Sequence, residues 1–226
     1  MSLDPLSQPY NTTDPTASFL SSSCLDFLLI ELVPLAYRVT HDLDGVTAKT
    51  DAASGNALAA TPNDASASDR PVSSGAVAPT TSDQKEIDDE EELDAVHHRL
   101  ETLGYRVGQG LVERFSRDRP RLNDTLDVIK FLCKDLWSLA FGKNIDNLKT
   151  NHRGVYVLTD NVFRPFSRMS TIAGGQAVIR AQPFLWFPCG IVRGALAALG
   201  INATVQAEIN ELPGAVFQIK TLPMKT

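Results

Sequence analysis

Aromatic residues are absent from a long central part of the chain, and this gap decides where a folded core can lie. No Phe, Trp or Tyr occurs between Tyr37 and Tyr105 in the 226-residue sequence. Residues 44–82 are mostly Ala, Ser, Thr, Asp, Gly and Pro, a composition that cannot recover by burial the entropy lost on ordering. We therefore predict a disordered acidic insert at 42–92 and a disordered N-terminus at 1–20, with residues 21–226 otherwise forming one domain.

The distribution of charge follows the same division. Residues 42–94 contain 13 acidic and three basic residues, whereas the rest of the chain has 18 basic against 14 acidic residues. The basic residues are scattered and lack interleaved aromatics, so nucleic-acid binding is not expected. The longest apolar run, near 27–36, is interrupted by Glu31 and is far shorter than the roughly 20 residues of a membrane-spanning helix. We expect a soluble chain.

Helical periodicity predicts the first two elements. Residues 24–38 predict a first helix that is apolar nearly all round and is therefore buried on more than one face. The second helix, over about 87–117, carries apolar residues with alternating spacings of three and four, the pattern of a helix packed on another helix. Its acidic run at 88–92 suits the first turn of a helix. Beside the seam lie Gly104, Gly108 and Gly110, which suggest that another backbone approaches closely.

The C-terminal half predicts further helices and a small sheet. A third helix fits Thr125–Phe141, and a fourth fits Pro183–Leu199 with Gly200 as its end. Strand patterns occur at 154–159, less clearly at 176–181, and at 201–209 and 215–222, the last two as a hairpin. The expected fold class is α+β, with about four helices flanking a small, mostly antiparallel sheet.

Residues with catalytic potential do not form a recognisable site. Only three residues separate Cys189 from Arg193, where a phosphatase loop needs five. Adjacent His97 and His98 diverge by about 100° on a helix and cannot form a zinc-hydrolase pair. The three cysteines are far apart, without Cys-x-x-Cys, which argues against disulfides and zinc and favours a reducing compartment. We predict no catalytic, metal or cofactor-binding residues; a hydrolase using Cys133 or Cys189 is an alternative that apolar surroundings disfavour.

Two segments resemble a known family. Residues 104–115, Gly-Tyr-Arg-Val-Gly-Gln-Gly-Leu-Val-Glu-Arg-Phe, resemble the second-helix motif of the small subunits of TRAPP, the transport protein particle. Residues 189–196, Cys-Gly-Ile-Val-Arg-Gly-Ala-Leu, resemble a later helix of that family. The similarity covers about 170 residues and skips the insert. The lead-in at 184–189 and the start of the first helix are most similar to the sixth-subunit branch, the thirty-three-kilodalton subunit.

The resemblance implies a non-catalytic scaffold that dimerises with a paralogous small subunit through its first two helices. It also implies membership of a complex that activates a Rab GTPase by nucleotide exchange in ER-to-Golgi and intra-Golgi traffic. The chain would then be cytoplasmic and peripherally associated with Golgi and endoplasmic reticulum membranes. The expected interface residues are Leu28, Leu29, Leu32, Leu35, Leu100, Leu103 and Leu111. The motif residues expected to pack inside the domain are Gly104, Gly108, Glu113, Phe115, Cys189, Gly190, Arg193 and Gly194.

One departure from the family bears on lipid binding. The paralogous subunit with a deep lipid channel is acylated on a Cys just before its third helix, where this chain has Arg119-Pro-Arg-Leu122, so we expect no acylation. The alternative to the scaffold is a stand-alone small-molecule or lipid-binding domain. A cavity lined by Phe131, Leu136 and Trp186 would favour that alternative.

Overall fold

Helices make up most of the structure, a computed structural model that describes residues 21–54, 81–117, 119–151, 153–169 and 176–222. Two long helices come first, α1 over Ser22–Ser54 and α2 over Thr81–Phe115. The shorter helices are α3 (Thr125–Phe131), α4 (Trp137–Phe141), α5 (Gln176–Ala181) and α6 (Trp186–Ala198). The strands are β1 (Asn147–Thr150), β2 (Val155–Asp160), β3 (Ala203–Glu208) and β4 (Ala215–Thr221). The α+β fold class is confirmed.

The four strands form one antiparallel sheet in the order β1-β2-β4-β3. In β2 and β4 alternate side chains are buried, as expected when one face of a sheet covers a core. Leu158 pairs with Phe217 in the register of these two strands, and both are fully buried. The predicted strand at 154–159 and the final hairpin are confirmed. The weak strand at 176–181 was wrong, because a short apolar run does not distinguish strand from helix, and here it forms α5 ahead of α6.

An aromatic cluster fills the core between the sheet and the α3–α4 region. The indole of Trp137 is fully buried, with its ring centroid 4.6 Å from that of Phe141 and 5.0 Å from that of Phe217. Phe163 joins the cluster, 5.0 Å from Phe141. The predicted third helix, Thr125–Phe141, is continuous but contains a π-helical turn at Leu132–Leu136. That turn lets the carbonyl of Cys133 accept a hydrogen bond from the amide of Ile145, at 3.0 Å.

The first two helices extend farther into the acidic insert than composition predicted. Residues 42–54 continue α1 and residues 81–92 begin α2, so these flanks of the expected disordered segment are helical. The acidic run at 88–92 therefore lies beyond the first turn of α2 and does not cap it. Residues 1–20 and 55–80 lie outside the described residues, and the expectation of disorder there stays a prediction. No helix within the described parts of the chain combines the length and apolarity needed to cross a membrane.

Candidate partner interface

Helix α1 carries two separate apolar stripes. Leu29, Val33 and Ala36 are buried and face the domain core. A second stripe, displaced by about 100° around the helix, stays at the surface, with Leu28, Leu35, Val39 and Leu43 exposed by 59%, 44%, 38% and 45%. One stripe is sufficient to attach a surface helix to its own domain. The second is therefore available to another molecule.

Helix α2, which contacts α1, carries exposed apolar residues of its own. Leu103 and Val107 lie one turn apart and are 40% and 37% exposed. The two helices contact each other. We call the six exposed residues the α1–α2 face, and its members are Leu28, Leu35, Val39, Leu43, Leu103 and Val107. An apolar patch formed by two neighbouring helices is typical of a protein–protein contact.

The structure corrects part of the expected interface. Leu29 and Leu100 are only 7% and 1% exposed and pack in the core of the chain itself, so they cannot meet a partner in this conformation. Leu32 and Leu111 are half-buried at the margin of the α1–α2 face. Sequence reasoning omitted Val39 and Leu43 of α1, although the spacing of Leu28, Leu32 and Leu35 continues to them.

The glycines of the two motifs bring α2 and α6 into backbone contact. A Cβ placed on Gly108 would come closer than 3.0 Å to the carbonyl oxygen and carbon of Ile191 and to the amide of Ala195. A Cβ on Gly194 would collide in the same way with the backbone of Tyr105. Gly104 and Gly190 lie equally close to the opposite helix. The expected close approach of another backbone is therefore an internal contact, and α6 is the second helix.

Not every motif residue packs inside the domain. Gly110 has no atom of another element within 4 Å of an added Cβ. Glu113 is exposed, and Phe115 is 40% exposed, so neither has the internal packing role that we expected. Cys189 and Gly190 are buried in α6, as expected.

Arg193 connects the two motif helices electrostatically. Its Nη1 lies 3.1 Å from Oε1 of Glu101 on α2, and its guanidinium carbon lies 5.3 Å from the centre of the Tyr105 ring. The Arg193 side chain is 41% exposed and the Glu101 side chain 17%, so this ion pair is only partly buried. Glu101 is the carboxylate that pairs with Arg193 across the two helices.

The amino-terminal end of α1 is fixed by an ion pair that the sequence did not reveal. Asp26 accepts a hydrogen bond from Nε of Arg164 at 2.7 Å and one from Nε of Arg168 at 3.0 Å. The hydrogen bond from Arg164, followed by the charges of both arginines, holds the pKa of Asp26 below its usual value. This contact positions α1, and with it the α1–α2 face, on the body of the domain.

A buried carboxylate organises the end of β2. The fully buried side chain of Asp160 accepts a hydrogen bond from the Trp137 indole at 2.9 Å and one from the Lys143 ammonium at 2.8 Å. Lys143 also contacts Asp146, at 2.6 Å. Burial opposes the charge on Lys143, but these two hydrogen bonds outweigh it and raise its pKa. The Trp137 indole and the Lys143 ammonium both donate to carboxylates of the chain itself. We therefore interpret this network as a contact that stabilises the fold.

The remaining candidates for chemistry have structural environments. Burial raises the pKa of the Cys133 thiol to about 12, and burial together with the charge of Glu101 does the same for Cys189. Thiols with such pKa values are protonated near neutral pH and are poor nucleophiles. The described residues contain no group of three or more potential metal ligands.

The residues expected to line a ligand cavity are used in packing. Phe131 and Leu136 are 3% and 1% exposed and belong to the core, and the Trp186 ring packs at a tilt against His97 with ring centroids 5.0 Å apart. In the segment before α3, Arg119 pairs with Asp135 and lies over the Phe131 ring. All three side chains that were expected to line a ligand cavity are engaged in packing, so they give the ligand-binding alternative no support.

Similarity to known proteins identifies the family of this chain. The family model described as Transport protein particle (TRAPP) component matches residues 25–222. The chain belongs to this family. Trafficking protein particle complex subunit 6b of Danio rerio is 53% identical over 121 residues, which are 54% of this chain and 76% of that protein. Subunit 6B of Homo sapiens is 51% identical over 121 residues, covering 54% and 75%.

A solved structure also shows some similarity to the chain. It is subunit 3 of the trafficking protein particle complex from Naegleria fowleri, covalently bound to palmitic acid. It has a TM-score of 0.49 and 15% sequence identity, over 63% of this chain and 90% of that one. The curated relatives confirm the sixth-subunit branch of TRAPP for this chain. They support a role as a component of the TRAPP complex in trafficking, and their names describe complex subunits rather than enzymes.

Proposed function

We propose that this TRAPP component is a non-catalytic scaffold subunit that pairs with a paralogous small subunit through its α1–α2 face. The observation that carries the proposal is the second apolar stripe of α1. Its residues are exposed in the isolated chain, although the helix is already anchored through Leu29, Val33 and Ala36. A permanent subunit interface is apolar in this way.

The size of the apolar contribution is adequate for stable pairing. Fully burying a Leu or Val side chain is worth about 1.5–3 kcal/mol, so a side chain that is already about half buried gains about 1 kcal/mol. The six residues of the α1–α2 face would therefore contribute about 6 kcal/mol before the partner's own residues are counted. Association has an opposing entropy cost of comparable size, so both subunits must contribute apolar surface.

Nucleotide exchange on a Rab GTPase is proposed as a property of the assembled complex and not of this chain. The names of the relatives, which describe subunits of a complex, support this assignment. We infer that the complex acts in ER-to-Golgi and intra-Golgi traffic and that the chain reaches those membranes peripherally, through its partners. Membership of the TRAPP family supports this location.

A matched pair of substitutions tests the proposed interface. Leu35 on the α1–α2 face and Leu139 on α4 are 44% and 45% exposed, so a glutamate at either position disturbs the isolated chain to a similar extent. The chain is co-expressed with a paralogous TRAPP small subunit from the same cells, and the complexes are weighed by native mass spectrometry. Leu35→Glu is expected to abolish the heterodimer, while Leu139→Glu retains it. Equal retention by both variants would refute the interface, and a small added mass in place of a second subunit would support a ligand-binding domain.

A further inference from the structure

A second apolar surface lies on the opposite side of α1. It is a groove of about 590 Å³ bounded by α1, the segment at 162–169, α5 and the turn at Leu212–Pro213. Ile30 belongs to this groove and lies two residues from Leu28, which places the two side chains about 200° apart around the helix. The groove is therefore separate from the α1–α2 face, and both surfaces can be occupied at once.

The lining combines an apolar floor with positive charge at the rim. Phe166 and Ala181 are each 2% exposed and form the floor, while Val162 remains 53% exposed at the rim. The charged residues of the lining are Arg168 and Arg180, and it contains no Asp or Glu.

The two arginines differ in their contacts. Arg168 pairs with Asp26, a carboxylate that it shares with Arg164. The side chain of Arg180 is exposed and makes no hydrogen bond or ion pair within the described part of the chain. An occupant that complements this groove thus needs bulky apolar groups and one anionic group opposite Arg180.

We propose that the groove binds a short segment of another protein that carries apolar side chains next to an acidic residue. Protein segments anchored by apolar side chains in a groove and oriented by a charge at the rim are a recurrent mode of recognition. A membrane surface fits less well, because anionic lipids are recognised by clusters of roughly four to eight basic residues, and here one of two is already paired. The segment would attach a further protein to the subunit without disturbing the proposed heterodimer.

Peptide selection on the full-length chain provides the probe. Short random peptides displayed on phage are selected on this chain alone, and enriched peptides are synthesised and titrated by fluorescence anisotropy. We expect the enriched peptides to combine bulky apolar residues with Asp or Glu. Their dissociation constant should rise by about tenfold or more for Arg180→Glu, because the rim charge is reversed. Ala177→Phe, which fills the groove without changing its charge, should weaken the same peptides.

Two controls keep the result specific. Arg153→Glu reverses the charge of an exposed arginine that precedes strand β2, whereas Val162 of the groove follows that strand. This variant should leave peptide binding unchanged. Thermal unfolding of each variant verifies that the fold is retained. The proposal is overturned if no peptide is enriched, or if the enriched peptides bind the Arg180→Glu and Ala177→Phe variants as tightly as the original chain. It is also overturned if phosphatidylserine-containing vesicles, rather than peptides, bind in an Arg180-dependent way, or if Arg180→Glu dissolves a self-association through the groove.

Discussion

Replacing Gly108 with alanine tests the backbone contact between α2 and α6 on which the whole domain depends. The added methyl would lie closer than 3.0 Å to three backbone atoms of α6, whereas an ordinary contact begins near 3.4 Å. Backbone atoms cannot rotate away, so the two helices must separate along their contact. Overpacking of this kind costs about 1–3 kcal/mol, and we expect the upper end. The higher helix propensity of alanine returns about 1 kcal/mol. The net loss of unfolding free energy is then about 2 kcal/mol.

Gly110 provides the matched control for this substitution. It lies on the same helix, and an added Cβ would meet nothing within 4 Å. Gly110→Ala should therefore stabilise the chain by roughly 0.5–1 kcal/mol, through helix propensity alone. The measurement is urea unfolding followed by circular dichroism, with all variants in the same assembly state. The loss of about 2 kcal/mol expected for Gly108→Ala relative to the original chain corresponds to about 4–8 °C in Tm for a chain of this size. If Gly108→Ala unfolds at the same urea concentration as Gly110→Ala, the close packing of α2 on α6 is refuted.

Three further outcomes concern the Asp160 network, the three cysteines and the Lys143–Asp146 pair. Asp160→Ala should destabilise the chain by about 2–4 kcal/mol in urea unfolding, because the Trp137 indole and the Lys143 ammonium lose their acceptor. A loss of unfolding free energy below about 1 kcal/mol would contradict the stabilising role of these hydrogen bonds. A thiol reagent should modify exposed Cys24 in the folded chain, and buried Cys133 and Cys189 only after unfolding. Rapid labelling of more than one thiol in the folded chain would contradict the burial of these two cysteines. The hydrogen bond from Lys143 lowers the pKa of Asp146 below its usual 3.8, so this carboxylate stabilises the fold above about pH 4 and loses that effect as the pH falls further. Asp146→Asn should therefore flatten the decline of Tm between about pH 5 and pH 3. An unchanged decline in the variant would contradict this role of Asp146.

The main helices and the final hairpin were predictable because their periodicity is strong. A seam with alternating spacings of three and four specifies a packed helix, and a glycine pair such as Gly104 and Gly108 specifies a close neighbour. What the sequence could not specify is which neighbour. The same pattern would suit a partner subunit, and only the structure shows that Gly190 and Gly194 of α6 complete the contact.

The errors in the expected interface have a related cause. A helix that is apolar nearly all round does not reveal which stripe meets its own domain, so Leu29 was assigned to the partner although it lies in the core. Strand β1 escaped prediction because it is short and mostly exposed and lacks apolar alternation. The Asp160 network also has no sequence signature, since its tryptophan lies 23 residues away and is brought to β2 only by the packing of α4 on the sheet.

Affinity purification of the tagged chain from its own cells, with identification of the co-eluting proteins by mass spectrometry, tests the central claim most directly. The account predicts stoichiometric amounts of paralogous TRAPP small subunits, retained with Leu139→Glu and lost with Leu35→Glu. Recovery of the chain alone, or only as a homodimer under gentle low-salt conditions, would contradict a scaffold role in TRAPP.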